Sequence, residues 1–263
     1  MTTFAELGIS FPLFDAPIHY AAAFVESARC NIRGNDQQYF YSQSEVVWIE
    51  GCRWCGAENK LPQNLLEGGR LLNCQNCGLI NEPGRVARSG KTTLMCFKCV
   101  KAENVQFPKD TEFGMVGEEH AVSGVTGGVP GLETDQFEVV VIEQNWTGTD
   151  HPTEQDVWSG ARVPSELLWE LLWTPRFFGW QEERWLFCCR QPMVYMGRWP
   201  DLKKRFRPKD PGALFAKIYA STGDDTPCDD WARAARDFEG GDPLMHVFRR
   251  RSCEQFRAYI DVS

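Results

Sequence analysis

Sulfur is the chemistry that this sequence repeats. Three Cys-x-x-Cys pairs follow one another: Cys52 with Cys55, Cys74 with Cys77, and Cys96 with Cys99. Gly56 and Gly78 follow the first two pairs. Such a turn aims both sulfurs at one metal ion, and glycine takes the backbone angles that let amide groups face the thiolates. Two turns complete a closed tetrahedral Zn2+ site, so residues 52–77 read as a zinc ribbon. Cys30 opens a fourth turn in which Arg33 stands where the second sulfur belongs. Cys30, Cys52, Cys74 and Cys96 recur every 22 positions.

This spacing suggests nested sites. Cys52, Cys55, Cys74 and Cys77 close an inner ribbon, while Cys96 and Cys99 face Cys30 in an outer site one ligand short. Arginine carries only donors and cannot ligate a cation. Either a distant Cys or His completes the outer site, or the metal has been lost there and packing replaces it, and Cys30 alone reads equally well as a buried thiol. A thiol-redox pair is the competing chemistry, but it requires a motif at the end of a strand leading into a helix. A structural Zn2+ contributes about 10–16 kcal/mol of apparent folding energy, enough to hold a segment poor in large apolar residues.

The elements that position these residues are expected to form an α+β protein. A zinc-binding region over residues 1–116 precedes a mixed α/β partner-binding domain over 117–263, with short antiparallel strands and three helices. At this length one domain carrying an insertion is the other arrangement. Residues 11–17 read as an extended aromatic entry and residues 109–131, rich in breakers, as a linker or packed loop. The β-branched run 137–142 reads as a strand. Residues 163–173 read as a helix started by Pro164 and Ser165 and ended by Pro175. Residues 185–190 and 192–196 read as a strand pair, with Cys188 and Cys189 on opposite faces and packed. Helices are expected over 211–220 and 229–238, and strands over 245–249 and 255–260.

Composition narrows the function. The chain carries 28 basic and 36 acidic side chains, a net charge of −8. A protein that neutralises phosphates shows a cationic face, and only Lys203–Arg207 and Arg249–Arg251 qualify, which argues against nucleic acid. No apolar run approaches the ~18 residues of a membrane span. The start of the sequence lacks the basic and apolar stretches of a signal peptide, so the eleven cysteines are expected to hold metal or lie buried in the reducing cytoplasm. A zinc hydrolase keeps an open site with histidine or carboxylate ligands, and His19, His120, His151 and His246 form no H-x-x-x-H pair. Eight of the ten tryptophans follow residue 140. Most are expected in the core, and Trp169, Trp173, Trp180 and Trp199, near helix ends and loops, are candidates for contact with a partner.

The sequence resembles the CbrC family, associated with bacterial tolerance to a DNase-type colicin and found beside toxin genes. The Phe-Pro-x-Phe entry at Phe11–Phe14, Cys30, Cys96–Cys99 and residues 109–115 carry part of the likeness. Residues 174–185, similar to the family's Thr-Pro-Gly-x-x-x-Trp-Gln-x-x-x-Trp run, carry the most specific part, and it ends at Phe248–Cys253. Arg33 and Arg250 stand where family cysteines are expected, leaving Cys253 as a further ligand that could complete the Cys30, Cys96 and Cys99 cluster. The resemblance implies a non-catalytic immunity or tolerance protein that occludes a cognate toxin with a basic active-site cleft. The alternative is a ribbon adaptor docking on nucleic acid or on the transcription or translation machinery.

Overall fold

A computed structural model of the chain describes residues 2–22, 24–25, 28–29, 36–37, 39–42, 94–142, 157–179, 183–223, 230–240, 243–252 and 255–262. They form two compact units, residues 23–104 and residues 1–22 with 105–263. The boundary expected at 116 therefore falls elsewhere, and the arrangement is one domain carrying an insertion. The physical reason lies in the entry segment. Phe4, Phe11, Leu13 and Phe14 are buried. The Tyr195 amide donates to the Leu13 carbonyl at 2.8 Å, and the Asp15 amide to the Tyr195 carbonyl at 2.9 Å.

In the inserted unit, β1 (Phe24–Val25), β4 (Phe40–Ser42) and β5 (Leu94–Cys96) form a sheet in the order β1-β4-β5, and β2 (Ala28–Arg29) pairs with β3 (Asp36–Gln37). All pairings are antiparallel. Helix α1 (Phe97–Ala102) follows β5 directly. The inner ribbon expected at 52–77 lies outside the described residues.

After the insertion the larger unit resumes with the hairpin β6 (Lys109–Thr111) and β7 (Gly114–Val116), then α2 (Glu118–Ser123). These elements replace the linker expected over 109–131. What sequence pattern missed is a hairpin held by side chains: the Thr111 hydroxyl donates to the Gly114 carbonyl at 2.6 Å and accepts from the Phe113 amide at 3.1 Å. Gly114 has φ of 109°, and a Cβ there would sit 1.7 Å from the Gly127 carbonyl oxygen, so the turn admits no side chain. Next come β8 (Val129–Pro130), β9 (Glu138–Val141) and β10 (Trp158–Arg162), ordered β8-β10-β9. Helix α3 (Ser165–Leu172) and the short pair β11 (Phe187–Cys188) and β12 (Gln191–Pro192) follow.

The remaining sheet is β13 (Val194–Arg198), β14 (Leu244–Arg249) and β15 (Phe256–Asp261), in that order and antiparallel. Residues 192–196 thus divide between two partners, since β13 pairs with β14 rather than with the strand before it. Helices α4 (Trp199–Phe206), α5 (Pro211–Tyr219) and α6 (Trp231–Asp237) complete the unit. Five helices are described within residues 117–263 where three were expected. Helix α2 was lost in a breaker-rich stretch, and α4 has a lysine- and arginine-rich face that obscures its apolar side.

Strand β14 is the centre of the unit, because five successive residues from Leu244 to Phe248 are buried. Successive side chains on a strand point to opposite faces. Met245 and Val247 join Trp199, Leu202, Phe215, Ile218 and Ala235 in the helix-covered core. His246 and Phe248 enter an aromatic layer in which Phe177 stacks on Tyr195 at 4.1 Å between centroids, with Trp185 close by.

His246 is the polar exception in that layer. Its Nδ1 lies 3.1 Å from the Tyr195 hydroxyl, and its Nε2 lies 3.4 Å from Asp261 Oδ2. Burial and the charge of Arg198 push its pKa down to about 4, against the attraction of Asp261. An unfolded imidazole titrates near 6.5, so below that pH the unfolded chain takes up a proton that the folded chain refuses. Stability is therefore complete above about pH 6.5 and falls as the pH drops toward 4, by up to roughly 3 kcal/mol from this group. Thermal melting at about pH 7 and about pH 5 checks this: His246→Gln should shrink the acid-induced drop in Tm, and an unchanged drop would exclude His246 as its source.

Candidate functional site

Cys96 ends β5 and caps α1, and Cys99 lies in the helix's first turn. Both are buried, and their sulfurs are 3.6 Å apart. Two thiolates bound at about 2.3 Å to one tetrahedral ion lie roughly 3.8 Å apart, so the pair fits half of a Zn2+ site. The strand-into-helix placement is also the one that thiol-redox motifs use. Burial separates the two, because thiol exchange needs an attacking sulfur that its partner can reach, and Cys96 and Cys99 are only 2 % and 4 % exposed. Cys30, Cys52, Cys55, Cys74 and Cys77 lie outside the described residues, as does Cys253. Among the described residues no group of three or more His, Cys, Asp or Glu could hold a metal ion. Strands β2 and β3 pair on either side of the Cys30–Arg33 stretch. Replacing both Cys96 and Cys99 by Ser should lower the zinc-to-protein ratio on elemental analysis while leaving most helical circular dichroism, since five of the six described helices belong to the other unit. An unchanged metal content would reject this pair as ligands.

Helix α3 presents two unlike faces. Leu168, Leu171 and Leu172 are fully buried, whereas Trp169 and Trp173 are half-buried and stack at 5.6 Å with 28° between ring planes. Residues at i and i+4 share a helix face. Between them Glu170 receives both arms of Arg251, at 2.7 and 3.0 Å. Trp199 differs from its expected role. It is fully buried and donates its indole N–H to the Ala235 carbonyl at 2.9 Å, tying α4 to α6. A residue so enclosed has no surface for a partner. Trp180 lies outside the described residues.

Sequence reasoning gave residues 109–115 and 174–185 no chemical role, and the fold brings them together. The Trp185 amide donates to the Asp110 carbonyl at 2.9 Å, and the Glu112 amide to the Trp185 carbonyl at 3.1 Å. Lys109, 1 % exposed, donates to the Thr174 carbonyl at 2.6 Å and lies 5.2 Å from the Trp185 ring. Glu183 accepts from Arg176 at 2.8 Å and from the Phe177 amide at 3.1 Å. Burial pushes the Lys109 pKa down to about 8 and the Glu183 pKa up, each opposed by attraction to the other. Glu112, in turn, binds Arg257 bidentately at 3.0 and 2.9 Å and caps the Phe187 amide at 2.6 Å. Removing one partner of a buried pair leaves the other charge uncompensated. Glu183→Ala should therefore destabilise the protein by about 3–5 kcal/mol in denaturant unfolding, and a change below about 1 kcal/mol would show that the charges are not effectively buried.

The described part is thus an α+β protein with an enclosed cysteine pair, a buried charged cluster and a half-exposed indole face. Its sequence from residue 73 to 262 matches the model of an uncharacterised protein family, UPF0167, and the chain belongs to that family. The matched stretch contains the two segments that meet around Lys109 and Trp185, and also Cys74, Cys77, Cys96 and Cys99. Phe11–Phe14, Cys30, Cys52 and Cys55 fall before it. No curated protein and no solved structure matches the chain. Among the described residues no helix is long and apolar enough to cross a membrane.

Proposed function

We propose that this protein is a non-catalytic immunity or tolerance factor that binds a cognate toxin domain and covers its active site. The indole face of α3 carries the reading. Tryptophan and arginine dominate the energetic centres of protein interfaces, and here Trp169 and Trp173 flank a pinned Glu170–Arg251 pair. The net charge of −8 adds a steering field toward a basic cleft, as found in toxins that act on nucleic acids or nucleotides. The resemblance to the CbrC family points the same way.

Two features support binding rather than turnover. Tyr195, His246 and Asp261 have the composition of a proton relay, yet each is at most 2 % exposed, so no substrate reaches them. The cysteine pair at the start of α1 is equally enclosed. In this reading Zn2+ is a scaffold. Cys52, Cys55, Cys74 and Cys77 hold one ion, and Cys96 and Cys99 with Cys30 belong to a second site, where the ion fixes the chain without acting on substrate.

The test is to identify any secreted toxin domain encoded beside this gene and measure complex formation with it. A stable complex should persist at moderate salt, where nucleic-acid binding weakens steeply, and co-expression should rescue cells. Trp169→Ala should weaken the complex by about 2 kcal/mol, roughly thirtyfold in Kd. Failure to bind and to rescue overturns the proposal.

A further inference from the structure

The vicinal pair Cys188–Cys189 has no part in that reading. On an extended strand the two side chains would point to opposite faces, yet their sulfurs approach to 3.9 Å. The hairpin explains this. Strand β11 ends at Cys188 and β12 begins at Gln191, so Cys189 and Arg190 are the two central turn residues, with φ of 55° and 62°. Two-residue hairpins favour positive φ at both positions and ordinarily fill them with Asn and Gly. Cysteine and arginine hold this left-handed backbone against the clash of their own Cβ atoms. Residues kept in sparsely populated backbone regions cluster at functional sites. Here the turn sets one thiol beside the next.

The surroundings suit thiol chemistry. Cys189 is exposed and Cys188 is partly covered. Arg250 directs its Nε–H at Cys188 Sγ over 2.6 Å, a cationic donor that favours the thiolate. Burial outweighs it and raises the Cys188 pKa, which leaves the exposed Cys189 as the attacking sulfur. We propose that Cys188 and Cys189 form a two-electron redox site, which hydrogen peroxide closes to a disulfide between sequence neighbours and which small thiols reopen. The exposed Cys189 thiolate attacks the peroxide, so that an S–O bond forms and the O–O bond breaks. The released hydroxide takes up the proton given up by Cys189 and leaves as water. Cys188 then attacks the sulfenic sulfur, forming S–S and breaking S–O, and its proton leaves with the hydroxide as a second water. Two electrons pass from the sulfurs to the peroxide oxygens. Sulfenic acids condense with a neighbouring thiol in this way.

The experiment treats the full chain with hydrogen peroxide and maps peptides under non-reducing conditions. The peptide carrying both cysteines should lose two hydrogens and regain them with dithiothreitol. In Cys188→Ser the reaction should halt at a Cys189 sulfenic acid, trapped by dimedone, whereas the wild type should trap little. The proposal is overturned if wild-type oxidation joins either sulfur to another cysteine, or carries both to sulfonic acids with no internal bond. It is equally overturned if Cys189 in Cys188→Ser takes no label. The readout is confined to one peptide, so it stands whether or not the toxin-binding reading holds.

Discussion

Burial of charge within an aromatic layer is the constraint on which the larger unit depends. Strand β14 is covered on both faces, so every polar group that reaches its aromatic side must find its partner inside the protein. Lys109 spends its ammonium on the Thr174 carbonyl and the Trp185 ring, and Glu183 spends its carboxylate on Arg176 and the Phe177 amide. The opposite pKa displacements of Lys109 and Glu183 show that desolvation outweighs their mutual attraction. Such a cluster specifies which segments meet more than it adds to net stability.

Residues 174–185, the most specific part of the family likeness, and the hairpin they meet therefore serve architecture in this chain. Residues 109–115 form a hairpin locked by Thr111 and Gly114, and residues 174–185 supply its carbonyl, its carboxylate and its ring. A motif dense in Thr, Glu, Lys and Trp invites a catalytic reading. Here Lys109, Glu183 and Trp185 are enclosed, and their polar groups are met by other groups of the protein.

The inserted unit depends on different physics. Its described strands are two or three residues long and α1 has six residues. Cys96 and Cys99 are enclosed there with their sulfurs 3.6 Å apart, close to the spacing of two thiolates on one tetrahedral ion. Phe97 and Val100 of α1 are buried alongside them, so packing and sulfur act at the same helix.

Local pattern determined much of this protein. The β-branched run at β9, the proline-started leucine helix α3, α5 and α6, and the final strand pair were legible because period and capping act within a few residues. The nearness of the Cys96 and Cys99 sulfurs was legible from their spacing, whereas their place at the end of a strand leading into a helix was not. The tertiary structure decided what depends on distant partners. It moved the domain boundary from 116 to the ends of an insertion, because Leu13 and Asp15 bond to a strand some 180 residues away. Trp199 became a core residue while Trp169 is half-buried, because burial follows which face of a helix meets the rest of the unit. It also placed the sulfurs of Cys188 and Cys189 side by side, since a turn with two positive φ angles is fixed by the pairing of the strands around it and not by the residues that occupy it.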